Sequence, residues 1–249
     1  MKRFLPITLA ILLLSIQGMA QTQPRAETFR TTEEMIDVNS FTSFHMQYLL
    51  DEFTDGVVYS STKGHLRGEE LNYNILTDAI QYYDANDKLL SLFANQGIDS
   101  VVIGDYVLVP FKGTGFVQVF HAGESPLMLR RSIALKAETL VRGAYGSIER
   151  TSATERVNNL FGEEGSGEAF NLDLRLNNAS RDEIEVRLRY QQAYYIIING
   201  KPLELSNRRS TVRAFPDHSR EVNNFIRQNN IDFDDPQSLA KLAAFLHSL

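Results

Sequence analysis

The chain of 249 residues contains neither cysteine nor tryptophan, and its five histidines stand apart from one another. Without cysteine there is no disulfide, no thiol nucleophile and no thiolate metal site. His45, His65, His121, His218 and His247 include no pair at metal-ligand spacing, and no H-E-x-x-H occurs. We therefore expect no metal and no cofactor. His247, in a final helical turn, is read as a favourable charge at a helix C-terminus. Nucleophile signals are equally thin. There is no G-x-S-x-G, and Ser166 lies in a Gly/Glu-rich stretch rather than at a strand-helix elbow. "GTGFVQ" (113–118) lacks the third glycine and the βαβ setting of a dinucleotide fingerprint, so it reads as a turn entering a strand. No catalytic residue is assigned.

Basic charge is also scarce, with 25 Lys and Arg against 31 Asp and Glu. An acidic chain without a basic block is a poor partner for nucleic acid, whose binding rests on cations against phosphate. Long apolar runs are missing too. The longest, Phe4 to Ile16, follows Lys2-Arg3 and precedes Gly18-Met19-Ala20. Charged start, short apolar middle and small-x-small end read as a signal peptide over 1–20, too short for a span of about 20 apolar residues. The expectation is an exported protein cleaved near Ala20, periplasmic or secreted, with no transmembrane segment and no lipid-bearing cysteine. Losing Lys2 and Arg3 would leave it at about −8 in net charge. A chain of this size can bury a sufficient core without disulfides.

What is present is the punctuation of a β protein. Residues 21–37 read as a polar tether, and 38–249 as one β-rich domain. Hairpins are expected at Lys63-Gly64, over "DANDK" (84–88), at Gly104-Asp105, over Gly123 to Pro126 and at Asn199-Gly200. Ile184, Val186, Leu188 and Tyr190 alternate with Glu185, Arg187 and Arg189, the pattern of a sheet with one wet face. The run 194–198 is apolar throughout, which suggests a strand covered on both sides. Residues 145–168, rich in Ser, Thr, Gly and Glu, interrupt this pattern and read as a long disordered or functional loop. Helical period appears only at the end, over 216–249. Val222, Phe225 and Ile226 share a face, and Asp234 or Asp235 caps a second helix opened by Pro236. The expected fold is mainly β (α+β), an antiparallel hairpin and meander sheet with two short C-terminal amphipathic helices covering it.

The stretch "GEELNYNILTDAIQYYD" (68–84) holds the one local conflict. Leu71, Tyr73 and Ile75 alternate with Asn72 and Asn74, although asparagine is depleted in strands. Apolar parity is odd at Tyr73 and even at Ile80, so the register has to break between Leu76 and Asp78. Asn72 and Asn74 are read as hydrogen-bonding backbone or water beside that break. The sharper alternative is a polar ligand strip with Tyr82 or Tyr83 alongside.

"YLLDEFTDGVVY", "GEELNYNILTDAIQYYD", "IDSVVIGDYVLVPF" and the ending "RAFPDHSREVNNFIRQNNIDFDDPQSLAKLAAFLHSL" resemble uncharacterised secreted β-rich proteins of the Bacteroidota. That resemblance implies an exported β-rich protein of a bacterial envelope and transfers no site residue. Together these readings point to a non-enzymatic interaction, assembly or ligand-binding protein. Its partner would be an envelope protein or a small polar ligand. The alternative is a hydrolase of glycans or peptides using carboxylates from different strands. Among the acidic doublets, Glu69-Glu70 would point to opposite faces of a strand and Asp234-Asp235 is explained by capping, while Glu163-Glu164 lies in the interruption. A membrane barrel fits the helical ending badly.

Overall fold

The computed structural model describes residues 26–32, 35–61, 64–111, 115–121, 126–142, 148–157, 171–173 and 183–249. The described residues begin with β1 (Ala26–Thr31) and β2 (Met35–Asp37), then two single-turn helices, α1 (Val38–Phe41) and α2 (Phe44–Gln47). A run of hairpins follows: β3 (Thr54–Ser60), β4 (Gly64–Asn74), β5 (Ala79–Tyr83), β6 (Leu89–Leu92), β7 (Ser100–Ile103), β8 (Tyr106–Phe111) and β9 (Gly115–His121). Longer strands come next: β10 (Leu127–Arg142), β11 (Ile148–Val157), the short β12 (Asn171–Asp173) and β13 (Glu183–Ile198), closed by β14 (Lys201–Glu204). Three helices end the chain: α3 (Arg208–Ala214), α4 (Ser219–Gln228) and α5 (Pro236–His247). The protein is thus mainly antiparallel β with short C-terminal helices. No helix among the described residues is long and apolar enough to cross a membrane.

The main sheet runs β1-β13-β10-β9-β8-β7-β3-β4-β5-β6, with β11 beside β10 and β14 beside β13. Turn chemistry sets the register. Gly104 and the Asn199-Gly200 pair adopt positive φ, which lets Ile103 pair with Tyr106 and Ile198 with Lys201. The Asp84 carboxylate accepts from the amides of Asn86 and Lys88 and closes the β5–β6 turn. Tyr194 and Ile196 pack under the helices while Tyr195 and Ile197 join Phe111, Val117 and Met128, so the apolar run is covered on both sides. Asp235 caps α5 as expected. A third helix, α3, precedes the expected pair; with only Val212 and Thr211 turned inward, its seven residues carry no helical stripe to read.

Two stretches depart from expectation. The polar tether is corrected from Ala26 onward: β1 pairs with Ile184 to Arg189 of β13, an edge strand whose exposed side leaves it polar in sequence. Within the long interruption, 148–157 is β11, paired with Ala134 to Arg142. Its polar composition suits a strand at a sheet edge. Residues 158–168, with Glu163, Glu164 and Ser166, lie outside the described residues.

The sheet is rolled, and one ion pair shows it. Arg130 on β10 lies 2.7 Å from the Asp78 carboxylate, in the β4–β5 turn. β4 and β10 are five strands apart in sheet order, about 24 Å in a flat sheet at roughly 4.8 Å per strand. Asp78 enters where β10 changes neighbours. β9 pairs only with Leu127 to Leu129, and β11 begins at Ala134. Asp78 Oδ1 accepts from the Phe116 amide (3.0 Å) and from the Tyr73 hydroxyl (2.5 Å). Asp78 takes positive φ, which its short polar side chain tolerates. Any Cβ on Gly115 would overlap that carboxylate. Burial pushes the Asp78 carboxyl up, while the Arg130 charge and the hydrogen bonds of Tyr73 and Phe116 oppose the shift.

Gly115→Ala is expected to cost about 1–3 kcal/mol by overpacking this junction, read as a drop of roughly 2–12 °C in Tm. Tyr73 yields a pH prediction. Burial first, then the Asp78 charge, hold its phenol well above the usual value of 10.0. The folded state therefore keeps the proton more tightly than the unfolded chain. Stability from this group is intact below pH 10 and falls as pH rises toward the folded value. Urea unfolding from pH 8 to 11 should show a shallower alkaline decline in Tyr73→Phe than in the parent, after a pH-independent loss of about 1 kcal/mol for the hydrogen bond.

Candidate functional site: an aromatic strip on a polar knot

Asn72 and Asn74 are almost fully buried, at 0% and 1% exposure. They do not solvate a wet face. The segment 38–53 lies over them, and both sides of this hairpin are covered. Asn72 Oδ1 accepts from the amides of Leu50 (3.2 Å) and Tyr73 (2.9 Å), and its Nδ2 donates to the carbonyls of Leu50 and Glu52. Asn74 Oδ1 accepts from the Thr77 amide, and its Nδ2 donates to Gln81 Oε1. Gln81 also accepts from the Tyr48 hydroxyl (2.7 Å) and donates to Ser91. The reading of these asparagines as partners of adjoining backbone holds. The break in parity is the four-residue turn 75–78, with Tyr73 opposite Ile80.

This knot carries an aromatic strip. Tyr48 is fixed by Gln81, and its ring stacks on Phe44 at 4.4 Å between centroids. Phe53, at the end of the loop Asn72 holds, lies 5.3 Å from Tyr48 and 5.1 Å from Tyr83. Tyr83 faces Leu89 across the β5–β6 ladder. Phe44, Tyr83 and Leu89 are 38%, 42% and 39% exposed, so the strip opens to solvent at both ends. Tyr82 points the other way, against the main core. Beside the strip, His45 Nδ1 lies 3.1 Å from Asp51, both side chains exposed.

The strip ends on β6, which pairs with β5 alone. Sheets guard such edges with charge or proline. β14 carries Lys201, Pro202 and Glu204, β1 carries Glu27 and Arg30, and β11 carries four charged residues. β6 is Leu-Leu-Ser-Leu, with neither. Among the described edge strands of the main sheet it is the one left unguarded.

The remaining polar residues fall into structural roles. Glu185 is buried although the alternation placed it on the wet face. It accepts two bonds from Arg30 and two from Arg187 across β1 and β13. Glu138, opposite it on β10, pairs with Lys136 at 2.7 Å. His247 lies between the carbonyls of Ala243 and Ile197 and ties α5 to β13. His218 sits at the start of α4, 3.5 Å from Glu221. Among the described residues no cluster of three potential metal ligands occurs. Glu70 is exposed on β4, and the side chains of Glu69, His65 and His121 lie outside the described set.

Sequence reasoning found the polar knot through its asparagines but missed the strip. Its members are spread over four elements, and the one available signal was the density of aromatics in 41–53. Asn72→Ala is expected to destabilise the protein by about 1–3 kcal/mol, since it strands three backbone groups of the 50–52 loop. Near-UV circular dichroism should weaken as Phe53 loosens. Tyr83→Ala, half-exposed but in ring contact with Phe53, should cost about 0.5–1.5 kcal/mol.

Comparison with protein-family models, with curated proteins and with solved structures yields no match, so the chemistry of this site rests on its own geometry.

Proposed function

We propose that the protein is an exported, non-enzymatic interaction protein of the bacterial envelope. It captures an extended polypeptide segment along β6, with the aromatic strip as the anchor for that segment's side chains. The observation that carries this reading is the unguarded β6 edge beside Tyr83, Phe53 and Phe44. Strand addition uses open backbone groups for affinity and neighbouring pockets or rings for selectivity, and exposed aromatics are enriched where proteins meet. Export is supported by the composition of residues 1–20. The hydrolase alternative has less support. The buried carboxylates of Asp78, Glu138 and Glu185 each lie against Arg or Lys, which suits charge neutralisation rather than an acid–base pair.

The test places a photo-crosslinking amino acid at Tyr83 in cells carrying the native envelope. A discrete polypeptide adduct is expected, and Leu89→Lys, which installs the missing edge charge, should remove it with Tm unchanged within about 2 °C. An adduct that persists in Leu89→Lys would sink strand addition. Protection of the strip by glycans alone would transfer the site to carbohydrate binding.

A further inference from the structure

A second site lies away from the aromatic strip, where α3 meets α4. Asn207 caps α3 by accepting from the Ser210 amide, and Val212 turns toward the helical cluster that covers Leu127, Leu129, Tyr194 and Ile196. The outer side is left to arginines. An open groove of about 430 Å³ between the two helices is lined by Arg208, Arg209, Val212, Arg213 and Asn223. Asn223 Oδ1 accepts from Arg208 Nε at 2.8 Å and so orients that guanidinium. Arg209 and Arg213 make no ion pair and no hydrogen bond to any described residue.

Three features set this arrangement apart from a solvated helix face. Arg208 and Arg209 occupy the first turn of α3, which holds no acidic residue; that is the end of a helix where cations are unfavourable. Arg209 and Arg213 are like charges at i,i+4, a further small cost. The segment from Arg208 to Arg227 holds five arginines against two acidic residues, in a chain whose formal net charge is −6. Arg213, in the last turn, is favourably placed, but the first-turn pair Arg208 and Arg209 opposes the helix, and local choices of that kind are expected at binding sites.

We propose that this groove binds a phosphomonoester carried on a small polar scaffold such as a sugar. Guanidinium groups match phosphate oxygens through paired N–H donors. A phosphomonoester brings a charge of about −1.5 to −2, which suits three arginines better than a single carboxylate does. The groove volume falls in the range of small-ligand sites, about 300–1,000 Å³. The same group can arrive on a soluble sugar phosphate or on a lipid headgroup.

Isothermal titration of the purified protein with glucose 6-phosphate, glucose and glucuronate in 0.15 M salt tests the assignment. A parallel arm uses phosphatidylcholine vesicles with and without phosphatidic acid. Binding of glucose 6-phosphate, or of the phosphatidic acid vesicles alone, supports the site and names the source. Arg209→Ala/Arg213→Ala should weaken that binding at least tenfold while its Tm stays within about 2 °C of the parent's, because the relief of the like-charge pair and the loss of the last-turn cation nearly offset. Lys88→Ala/Lys241→Ala removes the same net charge from other exposed positions and should leave binding within twofold. The proposal fails if neither phosphate probe binds, if glucuronate binds as well as glucose 6-phosphate, or if the lysine variant loses as much as the arginine one.

Discussion

One buried carboxylate organises this molecule. Asp78 stands where β10 has left β9 and has not yet met β11, and it supplies the acceptor that the Phe116 amide would otherwise lack. Through Arg130 it joins two parts of one sheet that lie five strands apart. Desolvating such a pair is expensive, and removing one partner of a buried ion pair typically costs about 3–5 kcal/mol. The arrangement persists because both carboxylate oxygens of Asp78 are committed, Oδ1 to Tyr73 and Phe116 and Oδ2 to Arg130. Tyr73 donates to Asp78, Gly115 leaves room for it, and the Phe116 ring packs 6.1 Å from that of Tyr73. The roll of the sheet is thus bound to a polar contact of defined geometry, where apolar packing alone would tolerate alternatives.

The same turn separates two further functions of the hairpin. On its inner face Leu71, Tyr73 and Ile80 build the main core. On its outer face Asn72, Asn74 and Gln81 hold down the segment that brings Phe44, Tyr48 and Phe53 beside Tyr83. Buried amides of this kind are costly unless all their groups are paired, and once paired they fix a single geometry. An exposed aromatic strip needs such support, because solvent-facing rings supply little packing of their own.

Charge is distributed with equal economy. Acidic groups that face inward are neutralised from the next strand or from two residues along their own, as Glu185 is by Arg30 on β1 and by Arg187, and Glu138 by Lys136. The arginines of α3 are left without such partners, and β6 is left without charge at all. The two surfaces therefore differ in kind: one is open to extended, apolar chain and the other to concentrated negative charge.

The sequence by itself determined the local elements. The Asn199-Gly200 and Gly104-Asp105 turns, the alternation from Ile184 to Tyr190 and the cap at Asp235 with Pro236 rest on contacts a few residues apart, where φ preference and side-chain period decide. Edge strands were harder: β1 keeps one side exposed and β11 pairs with β10 alone, both are polar in sequence, and that resembles a tether or a loop. The burial of Glu185 was hidden for a related reason, since its four hydrogen bonds come from Arg30 and Arg187 on two strands. Only the tertiary structure decided how the sheet rolls, which asparagines are covered and which aromatics meet. Each of those outcomes depends on pairs such as Asp78 with Arg130, or Asn72 with Leu50, whose partners are set by topology rather than by spacing along the chain.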